Sequence, residues 1–281
     1  MKITFWGTRG SIPAPGPDTV RIGGNTTCLE VSSNKGVRIV VDAGTGVRNL
    51  GVAFAKENNP EPVINLLFTH SHWDHLAGFT FFAPACNAAH SISVYGNRMA
   101  QEVLRRDIYE RHDNRYFPVN MDDLRADIEF HKKVPNPLVI GDVSIGTLNL
   151  NHPGNGFAYL FSSDGKRAAF ITDNELGLQY EGGNTPAEIE AFCRKVDVLI
   201  HDAQFLPSEI DDHRGWGHST YIEVIDLANK AEVSRVVLTH HAPERNDDDC
   251  EVLLEKARKY ITDNGYGISC ELAVEGQTLI V

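Results

Sequence analysis

The chain lacks any Cys-x-x-Cys pair, and its five cysteines (Cys28, Cys86, Cys193, Cys250, Cys270) are odd in number and widely scattered. That pattern supports neither a disulfide framework nor a thiolate zinc site, and it points to a reducing, cytoplasmic compartment. Long hydrophobic runs are also missing: Val63–Phe68 and Val236–Leu238 are far too short to span a membrane. The opening residues, Met1 to Trp6, read directly as a strand and carry no apolar signal region. Positive charge is scarce, with 26 Lys and Arg against 38 Asp and Glu and a formal net charge of −12. A long nucleic acid is a poor partner for such a surface, because gripping a polyanion requires basic groups that displace counterions. No linker, low-complexity stretch or short-period repeat interrupts the chain. Its 281 residues, 42% of them apolar, are expected to form one α/β domain over 1–281.

What is present centres on Thr69-His70-Ser71-His72-Trp73-Asp74-His75-Leu76. The apolar run before it (Val63, Ile64, Leu66, Leu67, Phe68) is short enough to be a buried strand. His70, His72, Asp74 and His75 are then expected on a loop at its C-terminal edge, where open α/β sheets place their ligand sites. Imidazole nitrogen and carboxylate oxygen are the donors that zinc and similar divalent ions accept. Four donors within six residues cannot all reach one ion at relaxed angles. His70 and His72 therefore read as serving one metal, with Asp74 and His75 serving a second. Two ions require further donors from elsewhere in the chain.

The first third reads as strands at Lys2–Trp6, Thr26–Ser32 and Val37–Val41, with a Gly- and Pro-rich loop over Thr8–Gly24 and a helix over Gly46–Lys56. Asp42, at a strand end, could orient a metal-bound histidine or equally cap the start of the following helix. A strand at Ser91–Tyr95 and a helix from Asn97 to Glu110 follow. The segment 105–121 mixes arginines with aromatics, notably Arg105, Arg106, Arg111, Arg115, Tyr109 and Phe117. It could act as a lid over the site, although Asp107, Glu110 and Asp113 fit an ordinary solvated helix face better. Strands are expected at Ile128–Val134, Val143–Leu150, Phe157–Ser162, Arg167–Thr172, Val196–Ile200 and Val236–Leu238. Thr185-Pro186-Ala187-Glu188 and Thr220–Glu223 have the form of helix-starting capping boxes. A last helix covers Asp247–Ile261, with three aspartates at its positive end. Two sheets covered by helices on the outside fit this order.

The missing donors follow strands three more times, as Asn151-His152-Pro153-Gly154, Thr172-Asp173-Asn174 and Thr239-His240-His241. With the pattern His70, His72, Asp74, His75 in hand, the chain resembles the metallo-β-lactamase superfamily of dinuclear hydrolases. The likeness runs from Gly7-Thr8-Arg9-Gly10-Ser11 through His240. It implies a four-layer αββα sandwich of two mixed β-sheets flanked by helices. It also implies that His70, His72 and His152 hold a first metal, and that Asp74, His75 and His240 hold a second, with Asp173 bridging. Zinc suits these mixed nitrogen and oxygen donors, with manganese as the alternative.

Within the superfamily the chain is most similar to the phosphodiesterase branch, which contains the tRNA 3′-processing endonuclease and the cyclic-nucleotide and cyclic-phosphate phosphodiesterases. His201-Asp202-Ala203-Gln204-Phe205 lies close to the branch's His-Glu-Ala-Thr-Phe, and His218-Ser219-Thr220 matches the motif that supplies its proton donor. The resemblance makes Asp74, His218 and Asp202 the catalytic candidates, although Asp replaces Glu at Asp202 and its role stays open. Asp74 would hold the water that two cations activate, and His218 would protonate the leaving group. The tRNA nucleases carry a long arm between the residues matching His152 and Asp173. Only twenty residues separate these here, and two expected strands occupy them. The expected substrate is therefore a small phosphodiester such as a cyclic nucleotide or cyclic phosphate, and a homodimer is expected by family analogy. tRNA 3′-endonuclease-like RNA processing, hydrolysis of a lactone, lactam or thioester, and a metal-stabilised scaffold without turnover are the alternatives. His201, His213 and His241 receive no role from the sequence.

Overall fold

The computed structural model describes residues 1–57, 63–110, 119 and 123–281, the side chains of 107–110 excepted. The chain first lays down β1 (Lys2–Gly7), β2 (Cys28–Ser32), β3 (Arg38–Val41), β4 (Val63–Phe68), β5 (Ser91–Gly96) and β6 (Asp127–Phe130). It then builds β7 (Leu138–Ile140), β8 (Val143–Asn149), β9 (Phe157–Ser163), β10 (Lys166–Ile171), β11 (Val198–Asp202), β12 (Arg235–Thr239) and β13 (Ser269–Leu272), and returns in β14 (Thr278–Ile280). These form two seven-stranded sheets, in the orders β14-β1-β2-β3-β4-β5-β6 and β13-β12-β11-β10-β9-β8-β7.

Both sheets are mixed. β3 to β6 run parallel, as do β10 to β13, while β1, β2 and β14 in one sheet and β7 to β9 in the other pair antiparallel. The sequence explains the difference. In β1 every second residue is buried, with Ile3 and Phe5 turned inward, as suits a strand with one covered face. In β4 every residue after Val63 is buried, because a central parallel strand is covered on both sides.

Three apolar clusters make the layers. Between the sheets lie Ile3, Val41 and Leu67 from one and Phe161, Phe170 and Val237 from the other. Outside the first sheet, α1 (Val47–Ala55) and α2 (Arg98–Glu102) contribute Leu50, Phe54 and Ala100 to a cluster with Leu66 and Val94. Outside the second, α3 (Pro186–Cys193), α4 (Tyr221–Lys230) and α5 (Asp247–Asp263) bury Ile189, Val224 and Leu253 against Leu199 and Leu238. The arrangement is the expected αββα sandwich, and each such fully buried Leu or Phe contributes about 1.5–3 kcal/mol. No described helix is long and apolar enough to cross a membrane.

Both expected capping boxes are formed, Thr185 with Glu188 and Thr220 with Glu223, and Asn246 with Asp249 adds a third at α5. Other segments add to the expectations or depart from them. The loop over Thr8–Gly24 holds a 3₁₀ turn at Pro17–Thr19 and is far from loose. Arg9 is fully buried inside it, donating to the carbonyls of Gly23, Ala242 and Arg245 at 2.7, 3.2 and 2.6 Å. Asp247 is not merely a charge at a helix end, since its carboxylate accepts from the backbone N–H of Arg21 and Ile22. The helix expected over Asn97–Glu110 is α-helical only to Glu102 and continues as a π-helix over Val103–Glu110. The strand expected over Ile128–Val134 stops at Phe130, ahead of Pro135 and Pro137, neither of which can donate to a ladder. β7, β13 and β14 were not anticipated, because three or four residues are too few to display a period. Most of the suggested lid, segment 105–121, lies outside the described residues.

Candidate metal centre

The topology places every donor at one end of the sandwich. The Thr69–Leu76 loop leaves the C-terminal end of β4, and β8, β10, β11 and β12 point the same way in the facing sheet. Their ends deliver His152, Asp173, Asp202 and His240. Four polar residues here adopt left-handed backbone, Ser11 (φ 64°), Asp42 (φ 59°), Asp173 (φ 52°) and His240 (φ 58°). Such a conformation costs about 1–3 kcal/mol for a side chain larger than glycine and is tolerated where the surroundings over-determine it.

His70, His72, His152 and Asp173 bring their donor atoms within 4.8 Å of one another, and so do Asp74, His75, Asp173 and His240. Asp173 belongs to both sets. Its Oδ2 faces His70 Nε2 at 3.5 Å and His152 Nε2 at 3.9 Å, whereas its Oδ1 faces His75 Nε2 at 3.3 Å and His240 Nε2 at 3.1 Å. Asp74 Oδ2 completes the second set, 3.3 Å from both His75 Nε2 and His240 Nε2. His72 turns Nδ1 inward, 2.9 Å from His152 Nε2.

In His70, His75, His152 and His240 the outer ring nitrogen is engaged, which turns Nε2 inward. His75 Nδ1 donates to Asp42 Oδ2 at 2.8 Å, His152 Nδ1 to the Gly217 carbonyl at 2.9 Å, and His240 Nδ1 to Gln204 Oε1 at 2.9 Å. Thr69 Oγ1 gives its proton to Asp42 Oδ2 and so accepts from His70 Nδ1 at 3.1 Å. Each of these four Nε2 atoms is thus aimed at carboxylate oxygen, an arrangement that calls for positive charge between them, from a cation or from a proton on the ring. His70 Nε2 and His75 Nε2 are buried without any hydrogen-bond partner. Two donors on one tetrahedral ion at about 2.1 Å stand about 3.4 Å apart, which is the spacing found here. These residues fit a pair of divalent cations.

The electrostatics agree. Burial, with help from His75, drives the His70 pKa well below its usual value, and burial brings His152 down to about 4. Burial works against the charges of Asp74 and Asp173, but the facing imidazoles, His75 and His240 foremost, hold both well below the ordinary carboxylate range. His75 goes the other way: burial opposes its imidazolium, and Asp74, Asp173 and Asp42 together raise its pKa. Anionic carboxylates are therefore enclosed at the sandwich edge, in a field that favours cations.

The reading of Asp42 as a helix cap is overturned. Gly46 occupies the position before α1, and no side chain caps that helix. Asp42 instead accepts from Thr69 N–H at 2.8 Å, Thr69 Oγ1–H at 2.7 Å and His75 Nδ1. His218 lies beside the centre, its ring stacked on His240 with centroids 5.0 Å apart and 5.4 Å from His152. Its Nδ1 donates to Asp202 Oδ2 at 2.9 Å. Burial disfavours the imidazolium, yet the hydrogen bond and charge of Asp202 carry the His218 pKa above its usual value. Asp202 itself is fully buried, also accepts from Ser219 N–H and Asn174 N–H, and touches the centre through His218. Of the unplaced histidines, His241 donates to the Ala273 carbonyl and His201 to the Asp202 carbonyl, so both are structural.

Three contributors escaped the sequence reading. Gln204 orients His240. Glu175, fully buried, accepts from the N–H groups of Gly215 and Gly217. Ser11 N–H donates to Asp74 Oδ2 at 2.8 Å. Gln204 and Ser11 stand inside stretches that sequence had marked, whereas Glu175 carries no local signal. Gly217 is required at its position, since φ is 88° and a Cβ would meet His152 Nδ1 at 1.9 Å.

Residues 37–241 match the family described as "Beta-lactamase superfamily domain", and the chain belongs to the metallo-β-lactamase superfamily of hydrolases. It is 27% identical to ribonuclease Z of Archaeoglobus fulgidus, over 92% of this chain and 92% of that protein. Among solved structures it shares the fold of unliganded yeast PDE1, with TM-score 0.70, 14% identity and coverage of 100% and 99%. A diphosphatase of the PhnP family is similar in fold as well, with TM-score 0.69, 18% identity and coverage of 100% and 97%.

Proposed function

We propose that this chain is a dinuclear metal-dependent phosphodiesterase acting on a small phosphodiester, such as a cyclic nucleotide or cyclic phosphate. The observation that carries the reading is the pairing of His218 with buried Asp202 at the edge of the two donor sets. Expelling an alkoxide from phosphorus needs a proton at the departing oxygen, and His218, held by Asp202, is placed to supply it. His70, His72 and His152 would hold one ion, Asp74, His75 and His240 the other, and Asp173 both; zinc is favoured by the donor types. When bound, the two ions supply Lewis acidity that acidifies water and neutralises charge on phosphoryl oxygens.

The chain's own residues do the rest. Asp74, with Oδ2 held by Ser11 N–H, keeps Oδ1 for the proton of the attacking water. As the water oxygen bonds to phosphorus and the leaving P–O bond breaks, His218 gives the Nε2 proton to the departing oxygen. Asp202 is a positioning residue, holding the His218 ring and favouring its charged form. The whole of 1–281 serves as one hydrolase domain.

A ribonuclease Z-like reading is favoured by the similarity to that protein. Against it stand the net charge of −12 and the direct hairpin from β9 to β10, paired from Lys166–Ser163 onward, which leaves no insertion between His152 and Asp173. The test is turnover of bis-p-nitrophenyl phosphate, cyclic nucleotides, a tRNA precursor and a chromogenic β-lactam, with metal analysis of the same material. Replacing His218 by Ala should lower turnover about 10²–10⁴-fold on an alkoxide leaving group and far less on p-nitrophenolate. Equal losses on the two would defeat the assignment of His218.

A further inference from the structure

The backbone arch that carries His218 also carries a row of rings with no part in holding metal or moving protons. Trp216 is 60% exposed and lies between Gly215 and Gly217, which adopt left-handed φ of 90° and 88°. The buried Glu175 carboxylate pins both glycine N–H groups, at 3.1 and 3.0 Å. Trp216 and His213 lie nearly perpendicular (centroids 4.9 Å, 80°), His213 stacks on Phe205 (4.3 Å, 23°), and Phe205 and His218 meet in a T-shape (5.8 Å, 68°). The row thus runs unbroken from the proton donor to the surface. His213 is fixed by donating Nδ1–H to the Glu209 carbonyl at 2.7 Å. Beside Phe205 and His213 lies a cavity of about 510 Å³, lined also by Ala242, Arg245, Glu209 and Glu244.

We propose that this row is the leaving-group subsite and that it takes a nucleoside, with the base stacked against His213 and Trp216. The assignment rests on the phosphodiesterase reading, because that reading puts the leaving oxygen at His218 and hence the leaving group on the His218 side of phosphorus. Every base offers a π-face to an aromatic ring, so a stacking ledge accepts nucleosides broadly. A simple alcohol or a bare sugar would leave Trp216 in water. The carboxylates of Glu244 and Asp249, which also line the cavity, would repel a second phosphate, so the chemistry favours a neutral nucleoside over a nucleotide in that position. Arg245 does not offset them, since it is already paired with Glu209.

The test uses the metal-loaded full chain titrated with adenosine and, separately, with ribose, read by tryptophan fluorescence and calorimetry. Adenosine should bind and quench, and ribose should do neither. W216A and H213A should each weaken adenosine binding about tenfold, while W216F and H213F, which keep a ring, should stay within about threefold of the parent. Melting curves of the four variants guard against misfolding. Equal adenosine affinity in W216A, W216F and the parent would overturn the proposal, as would ribose binding as well as adenosine. Phosphodiester cleavage without adenosine binding would overturn the subsite alone. Adenosine binding in a chain that cleaves no phosphodiester would overturn the leaving-group assignment by removing the reaction beneath it.

Discussion

Replacing Asp42 by Ala separates a group that supports the metal centre from one that supports a helix. The native carboxylate is fully buried and accepts three hydrogen bonds of 2.7–2.8 Å, from Thr69 N–H, Thr69 Oγ1–H and His75 Nδ1–H. Alanine leaves all three donors buried without an acceptor, at about 1 kcal/mol or more each, so the loss should be about 3 kcal/mol. For a domain of this size that corresponds to a Tm lower by roughly 6–12 °C. Freed of its partner, His75 also loses the bond that keeps its lone pair facing inward, and His70 loses the orienting Thr69 hydroxyl. Metal affinity should therefore fall about 10–100-fold, measured by competition with a chromophoric chelator. D42N keeps one acceptor oxygen but loses the charge, and should fall between the two. A cap, by contrast, would cost about 1 kcal/mol and leave metal affinity untouched. D42A retaining metal as the parent does would refute the account of how these histidines are held.

Gly217→Ala should fold with a lower Tm and lose metal about tenfold or more, read by metal analysis, because the new methyl group displaces the His152 ring. D202N should slow cleavage of an alkyl leaving group about 10–100-fold with little change on p-nitrophenolate, assayed on paired substrates. Removing metal with a chelator should lower the melting temperature and abolish hydrolysis, since Asp74 and Asp173 then face one another's histidines with no cation between, and zinc should restore both. An unchanged melting curve after verified metal removal would contradict the dinuclear reading.

Much of the site could be read from the chain because strand ends are local events. β4, β10 and β12 each show an apolar run with a donor within two residues of its end, β8 alternates before His152, and strands that point the same way present such ends together. The capping boxes at Thr185 and Thr220 were legible for the same reason, as their chemistry spans four residues. The short strands β7, β13 and β14 were not, because only their neighbours make them strands. Sequence likewise left Asp42 between two roles, since the choice depended on whether His75 or an N–H of α1 came within reach.

The residues of this chain by themselves determined the chemistry available: which donors exist, that each follows a strand, and that cysteine takes no part. Tertiary structure alone decided how those donors are shared. That Asp173 turns one oxygen to each donor set, that Gln204 and Gly217 set the faces of His240 and His152, and that Glu175 pins the arch beneath His218 all depend on pairings between residues dozens of positions apart. Local propensity carries no information about such distances, and packing of the two sheets does.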